Sequence, residues 1–117
     1  MKLIIPYSIE RQLKKIGITV NNFLCFLKET PFKSKKLIEI CAPLDGIKVY
    51  KAYLDNLKRA IIFCKHKKGI IYPVYVGNKN DSIAKNITVN IVRKNVEIWQ
   101  IKVLKDIQDK NYKIRHY

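Results

Sequence analysis

Three strand-like runs follow one another between residues 47 and 77 with almost nothing between them, and this spacing constrains the chain more than any other feature. The runs are IKVYKAYL (47–54), RAIIFCKH (59–66) and IIYPVYVG (70–77). The first two are separated by Asp55-Asn56-Leu57-Lys58, a hairpin-sized turn opening on Asp-Asn, and the last two by a link of the HKKG type. Connections this short join antiparallel neighbours, because parallel strands need a long crossover. Alternation places Val49, Lys51 and Tyr53 on one face of the first run. It likewise groups Arg59, Ile61 and Phe63 on the second, and it separates Tyr72 from Tyr75. Pro73 has no N–H to give a ladder, so the third run is expected to carry a bulge or a free side there.

A sheet needs helices to cover it, and the flanks supply them. MKLII reads as a short strand ending at Pro6. Ser8 is the expected N-cap of a helix in which Ile9, Leu13 and Ile16 recur at helical spacing before Gly17. Asn21 or Asn22 is the expected cap of a second helix, NFLCFLKE, stopping before Pro31, with Phe23, Leu24, Phe26 and Leu27 turned to the sheet. TPFKSKK is a basic connector, and LIEICAPLDG leads into the sheet. Beyond Asp81, Ile91, Val92, Val96, Trp99, Val103 and Ile107 follow helical spacing, so a long helix is expected over 88–109 with Thr88 as its cap. NYKIRHY is a basic tail with room for a short last strand. The expected fold is α+β: a single domain over 1–117, its N-terminal helices packed on a small, mostly antiparallel sheet of four or five strands. Residues 82–117 form a C-terminal helical extension and tail.

Composition narrows the function. A hydrophobic fraction of 48% argues against disorder. The longest apolar runs fall far short of the ~20 residues that span a bilayer. The N-terminus meets charge too early for a secretory signal, so a cytoplasmic location without membrane attachment is expected. With 24 Lys+Arg against 9 Asp+Glu, the formal net charge is +15. An excess of that size repels itself and calls for a polyanion or an acidic partner, the alternative being a solvated lysine coat. Cys25, Cys41 and Cys64 have no metal-ligand spacing and are expected as small buried apolar residues. His66 and His116 belong to no metal motif. A Cys64–His66 nucleophile pair lacks an orienting acid. No P-loop, dinucleotide fingerprint or nucleophile elbow is present, and no metal or cofactor is expected.

Residues 43–81 carry a resemblance. Leu44-Asp45-Gly46 before a strand, the Tyr50-Lys51 step, a strand opening Arg59-Ala60-Ile61-Ile62-Phe63, and Val74-Tyr75-Val76-Gly77-Asn78-Lys79 together resemble the RelE/ParE superfamily of bacterial toxins. The likeness covers about the first 85 residues at the level of element order. It implies a curled sheet and a type II toxin–antitoxin system. Its toxin is expected to be a ribosome-dependent mRNA endonuclease, neutralised by an acidic antitoxin. Carried over by position, Lys51 is the expected base, with Arg59 and Lys79 as phosphate clamps. Lys48, Tyr53, Lys58, Lys85 and Arg115 are expected RNA contacts. Tyr53 stands where the family can have lysine, and Lys85 near a position that can be tyrosine. The chemistry is coherent, since arginine grips phosphate oxygens in a bidentate fork and a lysine crowded by cations can act as a base. Tyr50, Tyr53, Tyr72 and Tyr75 are interleaved with the cations, and a stacked base contributes about 1–3 kcal/mol. Two alternatives remain open: a ParE-like inhibitor of DNA gyrase without nuclease activity, and a non-catalytic nucleic-acid-binding module.

Overall fold

The structure, a computed structural model, describes residues 1–44, 46–81, 83 and 87–117. It is an α+β domain with the chain order β1 (Lys2–Pro6), α1 (Tyr7–Lys15), α2 (Val20–Glu29), β2 (Leu37–Leu44), β3 (Ile47–Tyr53), β4 (Lys58–Lys65), β5 (Ile70–Asn78), α3 (Val89–Gln108) and β6 (Tyr112–His116). The strands form one six-stranded sheet in the order β2-β3-β4-β5-β1-β6. The sheet is larger and more mixed than the sequence suggests. LIEICAPL is itself an edge strand, antiparallel to β3 with two register shifts. β1 lies parallel to β5, while β6 returns antiparallel to β1. The parallel pair is possible because the whole of α1, α2 and three strands intervene, giving the long crossover that such a pair requires.

Helices cover both faces of this sheet. α1 and α2 bury Ile9, Leu13, Phe23 and Leu27 against Leu3, Ile5, Ile62 and Ile71. On the opposite face α3 buries Val92, Val96, Trp99 and Val103 against Val49, Ile61, Phe63 and Tyr72. This two-sided cover explains why AIIFC and IIYPVYV are unbroken apolar runs: a strand buried on both faces has no polar side to alternate with.

The helix ends follow local chemistry, with two corrections to the expected caps. α1 begins at Tyr7 directly after Pro6 without a side-chain cap, and the Ser8 hydroxyl instead donates to Asp106 Oδ2 at 2.8 Å. α2 is capped by Thr19, whose Oγ1 accepts from Asn22 N at 3.0 Å, so the earlier hydroxyl displaces Asn21 and Asn22 from that role. Thr88 caps α3 as expected, accepting from Ile91 N. α1 closes in a Schellman motif, with Gly17 N donating to Lys14 O, Ile18 N to Leu13 O, and Gly17 at φ +76°. α3 closes the same way, but the left-handed position is held by Lys110 at φ 57°.

A bulge overturns one facing expectation. Ile61 pairs with Tyr75 while Ile62 pairs with Pro73, which leaves Val74 as an extra residue in β5. That insertion shifts the alternation by one, so Tyr72 and Tyr75 share the α3 face. There Tyr72 meets Phe63 edge-on at 5.7 Å and Tyr75 lies 6.0 Å from Trp99. The cysteine expectation also divides: Cys64 is buried, Cys25 is exposed on α2, and the side chain of Cys41 lies outside the described residues.

Candidate nucleic-acid interface

Lys51, Tyr53 and Arg59 meet on the α3 face of the β3–β4 hairpin. Tyr53 pairs with Arg59 and Lys51 with Ile61, so all three side chains leave the same face in adjacent rows. The Tyr53 ring is the hub. Lys51 Nζ lies 5.0 Å from its centroid and Arg59 Cζ 4.5 Å, and an aromatic face attracts both cations. Arg59 is anchored as well, with Nη1 donating to the carbonyl of Asp55 at 2.8 Å and of Lys58 at 3.2 Å. The hairpin turn that supplies these carbonyls is set by Asp55, whose Oδ1 accepts from Leu57 N at 2.7 Å. That backbone donor, aided by Lys58, holds the Asp55 carboxyl below its ordinary range. Among the described residues neither Lys51 nor Arg59 is paired with a carboxylate. The guanidinium therefore keeps donors for an external anion.

Gly77 leads to Asp81, which motif reading missed, and to Tyr75, which the sequence grouped only with the stacking tyrosines. It pairs with Arg59 across β4 and β5, so its face is the face of the guanidinium. A Cβ added there would collide with the Asp81 carboxylate and the Tyr75 hydroxyl, which places both groups in the slot beside Arg59. Asp81 Oδ2 accepts from Asn78 N at 3.1 Å and from the Tyr75 hydroxyl at 3.4 Å. The Gly-Asn-x-x-Asp turn was the available signal, since an aspartate three residues after a strand end commonly caps its backbone. The backbone of Lys79 is fixed at the same end of the sheet, its N–H donating to Leu57 O at 2.6 Å, and the residue is exposed.

The other expected contacts are dispersed. Lys48 pairs with Cys64, whose side chain is on the α1–α2 side, and its Nζ lies 3.9 Å from Glu39. Lys58 also faces α1 and α2; it contacts Asp55 at 3.5 Å and lines the cleft between α2 and the hairpin. Arg115 sits on edge strand β6 opposite Leu3, beside Glu10 and Lys113, with β5 and β1 between it and β4. Lys85 lies outside the described residues, as does Asp45 of the Leu44-Asp45-Gly46 step. One face thus gathers Lys51, Tyr53 and Arg59, with Lys79 at its end, and Lys48, Lys58 and Arg115 belong to other surfaces.

Neither histidine belongs to this cluster, His116 lying on β6 at the far edge of the sheet. His66 Nε2 shares a 2.7 Å hydrogen bond with the hydroxyl of Tyr50, and Phe32 packs on both rings. Burial pushes the Tyr50 phenol up to about 12 and the Cys64 thiol up to about 11. A thiol moved in that direction is a poorer nucleophile at neutral pH, and the partner of His66 is Tyr50 rather than Cys64. Among the described residues no three His, Cys, Asp or Glu side chains come together to hold a metal ion, and no helix is long and apolar enough to cross a membrane. Comparisons of the chain with protein-family models, with curated proteins and with solved structures find no match.

Proposed function

We propose that this chain is the toxin of a type II toxin–antitoxin system, of the RelE/ParE kind, acting as a ribosome-dependent mRNA endonuclease in the cytoplasm and held inactive by an acidic antitoxin. The observation that carries the reading is the Lys51–Tyr53–Arg59 cluster: two basic residues, without carboxylate partners among the described residues, flanking one half-buried aromatic ring at the end of the hairpin. Such a surface offers charge to phosphate and a ring face to an unstacked base.

In the proposed reaction the ribose 2′-oxygen attacks the adjacent phosphorus. Lys51, in its uncharged amine form, takes the 2′ proton as the new O–P bond forms. Arg59 and Lys79 hold the nonbridging oxygens as negative charge develops. The bond to the 5′-oxygen breaks, and that oxygen takes the proton of the Tyr75 hydroxyl, which gives up its hydrogen bond to Asp81 Oδ2. The products are a 2′,3′-cyclic phosphate and a 5′-hydroxyl. Primer extension on a reporter mRNA carried by programmed ribosomes tests this reading. The parent is expected to produce discrete stops that Arg59→Ala and Lys51→Ala remove. An intact reporter with the parent protein would refute it.

One observation favours a second reading, inhibition of DNA gyrase by binding alone. The site contains no histidine, His66 being engaged with Tyr50 and His116 lying on β6. Inhibition of supercoiling by a protein that leaves the reporter intact would establish that alternative.

A further inference from the structure

α3 is apolar on two sides. Its inward residues Val92, Val96, Trp99 and Val103 complete the core. Opposite them Ile98, Ile101 and Leu104 are 53%, 65% and 52% exposed, although the core no longer needs them. Residues three apart lie on successive turns, so these three make one oblique stripe about 9 Å long. Three large aliphatic side chains on one outward helix face are unusual for a surface that meets only water.

The surroundings indicate what covers the stripe. Exposed Lys94, Lys102 and Lys105 flank it against one exposed carboxylate, Glu97, and among the described residues none of the three lysines forms an ion pair. The stripe also borders a groove of about 340 Å³ between α1 and α3, floored by Val74 and Val76 and rimmed by Ile98. A second copy of the chain would bring the same lysines and a further +15 of charge against the first. A lipid surface fits less well, because the stripe is short, its neighbour is a concave groove, and the one tryptophan of the helix faces inward. Charge and shape both favour another protein.

We propose that the outer face of α3 is a docking surface for an acidic amphipathic helix of a partner protein, its aliphatic ridge on Ile98, Ile101 and Leu104 and its carboxylates on Lys94, Lys102 and Lys105. The partner's identity as antitoxin rests on the toxin reading, while the surface itself rests on the geometry. In this arrangement the inhibitor docks on α3 and need not fill the Lys51–Arg59 site.

The probe is a fluorescein-labelled synthetic peptide of about three heptads, with leucine on one face and glutamate on its flanks. Its scrambled form and a lysine-flanked form serve as controls. Anisotropy is expected to show the parent binding the acidic amphipathic peptide about tenfold more tightly than either control. Ile101→Glu should remove that preference while leaving the thermal melt and reporter cleavage unchanged. Leu104→Gln is the second variant should Ile101→Glu fail to fold. Equal affinity for the scrambled peptide, or undiminished affinity in both variants, overturns the proposal. So does a parent that sediments as a dimer dissociated by Ile101→Glu, or one that binds phosphatidylserine vesicles through Ile101 and ignores the peptide. Peptide binding with no RNA cleavage would leave the surface standing and remove the toxin reading; cleavage without peptide binding would do the reverse.

Discussion

Gly77→Ala is expected to disturb the site and the fold together, for a purely steric reason. The glycine is buried, and the obstacle to a side chain is space: its Cβ would occupy the position of the Asp81 carboxylate and the Tyr75 hydroxyl. The tyrosine ring is held beside Trp99, so the carboxylate is the freer group to yield. Moving it gives up the hydrogen bonds from Asn78 N and Tyr75. At about 0.5–1.5 kcal/mol for each net hydrogen bond, the loss is about 1–2 kcal/mol once some rearrangement is allowed. For a domain of this size that lowers Tm by about 4–8 °C. Asp81→Ala alone should cost about 1 kcal/mol, because it removes the same acceptor from an exposed position. The decisive quantity is the double variant. If the carboxylate is what the methyl group strikes, Gly77→Ala in the Asp81→Ala background should cost at least about 0.5 kcal/mol less than in the parent. Urea unfolding of the four proteins measures this coupling. Strict additivity would show that Asp81 is not in the slot beside Arg59, and the site geometry built on it would fall.

Three further outcomes follow from particular contacts. Lys110→Gly should raise stability by about 0.5–1 kcal/mol, since glycine enters the left-handed turn after α3 without the strain borne by lysine; a lower Tm would contradict the motif. Glu10 is drawn below its ordinary 4.5 by Lys113, 2.9 Å from Oε2, and by Lys14. Its folded pKa is the lower one, so its stabilisation is present above about 4.5 and is lost as pH falls through the folded value. Glu10→Gln should therefore cost about 1 kcal/mol at pH 7 and almost nothing near pH 2, which paired urea titrations would show. Cys25 should react with a maleimide within the dead time of a native assay, whereas buried Cys64, its thiol pushed up to about 11, should react only as fast as the protein opens. Equal rates would refute that placement.

Much of the fold was legible because local signals and tertiary environment agree. The turn at Asp55 fixed the β3–β4 register, and with it the shared face of Lys51, Tyr53 and Arg59. Thr88 and the four buried positions of α3 agreed with helical spacing. The misses have physical causes. β2 pairs through two irregularities, so its sequence shows no clean alternation. The parallel β1–β5 contact depends on residues almost 70 positions apart, and no local signal encodes it. Pro73 announced a bulge or a free side near it but not which residue is inserted, and that residue, Val74, moved Tyr75 onto the face of Arg59. Lys48 and Lys58 stand one residue from Val49 and Arg59, so alternation already set them on the opposite face, and they were grouped with Lys51 and Arg59 by charge alone.

If RNA meets only the α3 face of the β3–β4 hairpin, the division of cations between the two faces of the sheet sets the salt dependence of its binding. Each phosphate neutralised on a single strand contributes about −0.7 to the slope of log K against log salt concentration. Removing two contacting cations should therefore flatten the slope by about 1.4. The measurement compares a labelled single-stranded RNA on the parent, on Arg59→Ala with Lys79→Ala, and on Lys58→Ala with Arg115→Ala. The full flattening is expected in the first pair and a slope close to the parent in the second, at equal change in net charge. Equal flattening in both pairs would mean that RNA reads only the overall charge of +15, and the Lys51–Tyr53–Arg59 face would lose its standing as the site.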